Sequence, residues 1–267
     1  MGEAIVITSG KGGVGKTTTS ANIGTALALQ GKRVCLVDTD IGLRNLDVVM
    51  GLENRIIYDL VDVLEGRCKL HQALVKDKRF EDLLFLLPAA QTSDKNAVTP
   101  EQMKELITNL KQDYDYILID CPAGIEQGYK NAVAGADKAI VVTTPEAPSV
   151  RDADRIIGLL EKEENIEPPR LIINRIRSHM MKDGDMWSVD DVANHLSIEL
   201  IGVVADDEEV IKAANSGIPI AFNPNSRASI AYRNIARRIL GESIPLQQLD
   251  SQPKGVFSKL KRLFSGK

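Results

Sequence analysis

Short apolar runs alternate with longer segments of helical period along most of the chain. The runs over 4–8, 34–38, 83–87, 116–120, 139–143, 171–174 and 200–204 are dense in Ile, Val and Leu and show little polar alternation, which predicts strands covered on both faces. Segments of helical period lie between them, predicting helices over 16–30, 100–111, 125–134, 149–163, 188–195, 208–216 and 227–240. This alternation predicts an α/β fold: a doubly wound, mainly parallel sheet with helices on both faces. Two stretches break the rhythm. Residues 41–77 read as an insertion of two or three short amphipathic helices, and 88–99 as a polar loop. After 240 the pattern stops, so the chain is expected to divide into a body at 1–243, a Pro- and Gln-containing linker at 244–253, and a separate element at 254–267.

Composition sharpens this picture mainly through charge. The 267 residues, 43% hydrophobic, suffice for one substantial core. The formal charge is −4, yet the last fourteen residues hold five basic side chains and no acidic one, leaving −9 on residues 1–253. A body of that sign argues against coating nucleic acid. Cys35, Cys68 and Cys121 are scattered and form no C-x-x-C pair, so reduced thiols are expected and an iron–sulfur or disulfide framework is not. No apolar run approaches the roughly 18 residues of a spanning helix, and neither a signal peptide nor a lipidation box is expected. Membrane contact would have to come from the polypeptide itself.

The strongest chemical signal follows the first strand. Gly10-Lys11-Gly12-Gly13-Val14-Gly15-Lys16-Thr17 satisfies G-x-x-x-x-G-K-[ST] between a strand and a helix, with Thr18 continuing that helix. Glycines let successive N–H groups and the helix N-terminus converge on phosphates; Lys16 neutralises them, and the Thr17 hydroxyl suits Mg²⁺. Carboxylates stand where later strands end: Asp38 and Asp40 after 34–37, and Asp120 after 116–119. A carboxylate at the C-terminal edge of a parallel strand faces the ligand crevice, and Asp120 fits a Mg²⁺-holding position. Asp38 and Asp40 can equally be turn or cap residues, and Asn174 an ordinary strand-end residue. The absence of an Asn-Lys-x-Asp run favours ATP over GTP.

Lys11 adds a second lysine to the loop; taken alone it is a solvated charge. With it, however, the loop reads G-K-G-G-x-G-K-[ST] and resembles that of the deviant Walker A family, the MinD/ParA ATPases. That resemblance implies an ATP-dependent homodimer in which Lys11 reaches the partner's phosphates as an arginine finger does. It further implies that Asp38 orients the waters of the metal, that Asp40 positions the attacking water, that Gly124 senses the γ-phosphate, and that Asn174, Arg175 and Asp206 clasp adenine. Ser149–Arg155 is similar to the family's helix that receives the division inhibitor MinC and the topological factor MinE. Arg151, Asp152 and Asp154 are the partner candidates there, with Ser149 and Asp152 read as a capping box that starts the helix. ParA-like cargo ATPases and flagellar-number ATPases share these motifs and stand as the alternative.

Residues 254–267 complete the sequence argument. On a wheel of 100° per residue, Val256, Phe257, Leu260, Leu263 and Phe264 fall within about 120°, with Lys259 and Lys261 outside that arc. Fourteen residues reach roughly 21 Å as a helix, too short to span a bilayer and suited to lying on an anionic phospholipid surface; docking onto the acidic body is the competing expectation. One such segment binds weakly, whereas two on a dimer gain about 10²–10⁴ in avidity. The expected location is therefore cytoplasmic, and peripheral on the cytoplasmic face of the membrane.

Overall fold

The computed structural model describes residues 1–93 and 97–247. The linker from 248 onward and the whole expected membrane element, Val256 to Phe264 included, lie outside the described residues. The body runs β1 (Glu3–Thr8), α1 (Lys16–Leu29), β2 (Val34–Asp38), α2 (Leu46–Met50), α3 (Leu60–Leu64), α4 (Leu70–Ala73), β3 (Val75–Lys76), β4 (Leu84–Leu87), α5 (Pro100–Leu110), β5 (Tyr116–Asp120) and α6 (Gln127–Val133). It continues through β6 (Lys138–Thr143), α7 (Ala147–Leu160), β7 (Arg170–Ile176), α8 (Ser178–Asp183), α9 (Val189–Leu196), β8 (Glu199–Ala205), α10 (Glu208–Asn215) and α11 (Arg227–Ile239).

These strands form one sheet in the order β3-β4-β2-β5-β1-β6-β7-β8, parallel throughout except for the β3–β4 pair. The apolar runs lack alternation because each strand feeds two cores. Ala4 and Val6 of β1 and Ile117 and Ile119 of β5 pack with α5, α6, α7 and α9 on one face. Ile5, Ile7 and Leu118 point the other way, onto α1 and α11. Since side chains alternate along a strand, covering both faces demands apolar residues at every position. Helix α1 is itself buried on most sides, in keeping with its small, Ala- and Thr-rich sequence.

The insertion at 41–77 does contain three short helices, α2 to α4. Arg79 ties it to the body: its guanidinium pairs with buried Asp77 at 2.7 Å and donates to the carbonyls of Met50 at 2.6 Å and Gly217 at 3.1 Å.

Three local expectations change. Helix α7 starts at Ala147 with Glu146 as its N-cap; the expected Ser149–Asp152 capping box is therefore not formed. Pro148, whose φ suits a first helical turn and which needs no hydrogen-bond partner there, moves the start upstream. Ser149 is buried inside the turn, where its Oγ accepts the Thr144 hydroxyl at 2.9 Å. Strand β3 and helix α8 were also not expected. The first is two residues long, and the second buries none of its residues, so neither leaves an apolar period to read.

Candidate nucleotide site

Three loops at the C-terminal edge of the sheet converge because β2, β5 and β1 are neighbours there. Asp38 and Asp120 sit opposite each other in register, and the phosphate loop follows β1 directly. Thr39 fastens this edge: its N–H and its hydroxyl both donate to the Asp120 carbonyl, at 3.1 and 2.7 Å.

Within the loop, Lys16 is 8% exposed and its ammonium donates to Ser9 Oγ at 2.9 Å, while Ser9 Oγ donates to the Lys11 carbonyl at 2.8 Å. Lys11 is exposed. The two lysines are thus sorted by the fold: Lys16 is held inside its own loop, and Lys11 faces outward. Gly12 and Gly13 are also exposed, and Gly13 and Gly15 take φ of 81° and 98°, the left-handed conformations that turn N–H groups inward and that side chains resist. Thr17 hydrogen-bonds Asp120, as does Ser20, whose hydroxyl donates at 2.9 Å. This set suits Mg²⁺ bound to a nucleotide, which needs few protein ligands because phosphates and waters complete its shell. Among the described residues no three or more His, Cys, Asp or Glu group together as a protein-only metal cage would require.

Asp38 has a visible second role. Its carboxylate accepts the N–H of Asp40 at 2.9 Å, of Leu46 at 3.2 Å and of Asn45 at 3.4 Å, so it pins the 39–45 loop and the start of α2. The turn-and-cap expectation therefore holds for Asp38, which also stands in register with Asp120. Asp40 is half-buried and borders a cavity of about 50 Å³ between its own loop and Pro122–Ala123, enough for ordered water beside the carboxylate. Gly124, at φ 99°, turns the loop that follows β5.

Burial and the Asp120 charge push the Asp38 carboxyl up to about 8. Burial raises Asp120 to about 6, opposed by its bonds to Thr17 and Ser20 and by Lys16. An unfolded Asp titrates near 3.9, so the empty folded chain keeps protons that the unfolded chain releases. The stability this contributes is complete below about pH 4 and lost as pH rises through 6 to 8. Thermal unfolding without nucleotide should show Tm falling across that range, and Asp38→Asn should flatten the fall. An unchanged slope in the variant would place the pH dependence elsewhere.

On the far side of the loop, Gly15, Thr18, Asn174, Arg175, Asp206 and Tyr232 line a cavity of about 350 Å³, with Val204 and Ile211 also in its wall. The three expected base-contact residues are thus brought together beside the phosphate loop. Arg175 adopts φ 56° at this rim, an uncommon conformation for a residue with a side chain. Asp206 is engaged by Arg177 at 2.6 Å. Arg177, Tyr232, Ser9 and Ser20 escaped sequence reasoning; only Ser20, one turn beyond Lys16 on α1, left a periodic clue. Cys121 is a buried thiol, contacted by the Thr8 hydroxyl at 3.6 Å, and burial raises its pKa to about 12.

Arg151 and Asp154 are exposed on α7, with Asp152 partly buried between them. Beneath them the backbone of α7 touches the phosphate loop, for a Cβ on Gly10 would overlap the Asp152 carbonyl and lie 2.7 Å from its Cβ. The expected partner surface and the nucleotide loop are thus in direct contact.

Comparison with known proteins agrees with this geometry. The profile of the CobQ/CobB/MinD/ParA nucleotide binding domain matches residues 5–220. The chain is 77% identical to the septum site-determining protein MinD of Bacillus subtilis over 99% of its own length and 98% of that protein. To the corresponding protein of Thermotoga maritima it is 51% identical over 99% and 98%. Among solved structures, a MinC:MinD cell division protein complex of Aquifex aeolicus superposes with TM-score 0.86 at 51% identity, covering 92% of this chain and 98% of that one. MinD of Pyrococcus horikoshii complexed with Mg-ADP gives 0.81 at 31% identity, covering 90% and 96%. Loop, strand-edge carboxylates, sheet order and end-to-end likeness coincide, and the chain belongs to the MinD/ParA family of P-loop nucleotide-binding ATPases.

Proposed function

We propose that this chain is a Mg²⁺-dependent ATPase that works as a membrane-cycling switch in septum placement. The observation that carries the reading is the sorting of the two loop lysines: Lys16 is buried within its own cradle, and Lys11 is exposed where a second copy can present its phosphates. ATP bound between two copies would use both. When bound, Mg²⁺ offsets phosphate charge and polarises the transferring phosphoryl group. In this reading Thr17 ligates the metal directly, Asp38 and Asp120 hold its waters, Asp40 aligns the attacking water, and Asn174, Arg175 and Asp206 enclose the base.

Dimerisation doubles the C-terminal segments at 254–267 and so brings the protein to the anionic cytoplasmic face of the membrane; hydrolysis releases it. No helix among the described residues is long and apolar enough to cross a bilayer, so this contact falls to the segment's basic and apolar side chains. The exposed side chains of α7 receive MinC, and MinE or another topological factor competes for or responds to the same helix. Support for the septum role comes from the likeness to septum site-determining relatives along the whole chain.

Sedimentation with anionic vesicles is the test. With ATP and Mg²⁺ the full chain should co-sediment, and with ADP it should stay in solution. A chain ending at residue 253 should lose vesicle binding altogether, because both segments of the dimer are removed, while its vesicle-free ATPase rate stays the same. Equal binding with ADP and ATP would overturn the switch. Retention on non-specific DNA in its place would favour the ParA-like alternative.

A further inference from the structure

The turn that makes a phosphate cradle points backbone N–H groups inward, and its carbonyls must therefore point outward. An outward carbonyl buried under the neighbouring strand needs a donor. At Val14 that donor comes from 160 residues away: Asn174 Nδ2 donates to the Val14 carbonyl at 2.8 Å. Asn174 is 5% exposed, two residues before the end of β7. A carbonyl as neighbour fixes the amide's orientation, since only its nitrogen can donate.

The same amide limits the next residue. A Cβ on Gly15 would overlap Asn174 Nδ2 and lie 3.7 Å from its Cγ. Gly15 is thus favoured by its φ of 98°, and the Asn174 amide fills the space beside it. Asn174 also lines the base cavity together with Gly15 and Thr18. An amide has two N–H donors and an accepting oxygen, so spending one donor on Val14 leaves one donor and the oxygen. That remaining pair matches the donor and acceptor that adenine presents side by side.

We propose that Asn174 is a positioning residue that fastens the phosphate loop from behind while facing the base, so that one side chain links the two halves of the nucleotide site. In the empty chain it holds the curvature of the loop between Gly13 and Gly15 through the Val14 carbonyl alone. With a base present, its other donor and its oxygen are also fixed, and the loop is held more tightly where the phosphates sit. This rests on the nucleotide-site reading above, but it predicts an effect on ligands that have no base.

The test uses the full chain and inorganic tripolyphosphate with Mg²⁺, measured by competition against a fluorescent ATP analogue, beside ATP itself. Asn174→Ala should weaken tripolyphosphate by a factor of about 10 or more, and ATP by more than that, since ATP loses the base contact as well as the brace. Asn174→Asp should weaken tripolyphosphate further, because it sets a carboxylate against the carbonyl. Asp206→Ala, in the same cavity but with no bond to the phosphate loop among those described, should weaken ATP alone. Amide hydrogen exchange of residues 10–18 in the ligand-free chain gives a readout independent of binding and should quicken in Asn174→Ala. Parent-like tripolyphosphate affinity, or unchanged exchange in that loop, would overturn the proposal and leave Asn174 a base contact only. Failure of ATP to bind the parent chain would overturn the nucleotide-site reading instead, and the exchange measurement would still decide the brace.

Discussion

Alanine at Gly10 is expected to weaken ATP binding at least about 100-fold and to lower Tm by several degrees, whereas alanine at Gly12 should leave Tm unchanged. The two glycines stand two residues apart in one loop, and neither takes a positive φ, so backbone conformation does not separate them. Space does. A Cβ at Gly12 has only the Ala123 methyl nearby, at 3.9 Å, while at Gly10 it runs into the Asp152 carbonyl of α7. Backbone is the least compliant neighbour a new methyl can meet, and overpacking of this kind costs about 1–3 kcal/mol or more. In a chain of this size 1 kcal/mol corresponds to about 2–4 °C. Relief requires either the loop or α7 to move, and a phosphate cradle tolerates little displacement. ATP titration and thermal unfolding of both variants check this. A Gly10→Ala chain with parent affinity would show that α7 yields freely and that the partner surface is mechanically independent of the loop.

Asp40→Ala should separate binding from hydrolysis. ATP affinity is expected to stay within a few-fold of the parent, because the Asp40 backbone N–H that donates to Asp38 survives the substitution. Hydrolysis should fall by about 10²–10⁴, the usual contribution of a positioned proton acceptor. The physical basis is the cavity between the 39–41 and 122–123 segments, which Asp40 lines. Single-turnover hydrolysis and equilibrium ATP binding, measured on the same preparation, give the two numbers. On vesicles the variant should persist in the bound state. A parent-like rate would remove Asp40 from water positioning and leave it a loop residue beside Asp38.

Much of this site was legible before the structure because its chemistry is local. A loop whose N–H groups must converge needs glycine at fixed spacing, and Gly13 and Gly15 do take left-handed φ. Strands covered on both faces need unbroken apolar runs, which placed Asp38, Asp40 and Asp120 at strand ends. What failed was decided by competition or by distance. Ser149 and Asp152 have the spacing of a capping box, yet Pro148 set the helix start, and two adequate signals one turn apart cannot be ranked locally. Helix α8 buries no residue and so leaves no apolar stripe. Arg177, Tyr232 and Ser9 join the site through contacts that have no period.

By itself, then, the sequence determined which backbone could cradle phosphate, which carboxylates could face it, and that strands and helices would alternate around a parallel sheet. All of these follow from interactions within a few residues: φ preference, capping capacity, and the two-residue period of a strand. Only the tertiary structure decided that Gly10 is a glycine for the sake of α7, that Gly15 also makes room for Asn174, and that Asp38 pins α2 while standing in register with Asp120. Each of these depends on segments that meet because of the strand order β2-β5-β1-β6-β7. A chain read residue by residue carries no record of which distant backbone will come within a methyl's width.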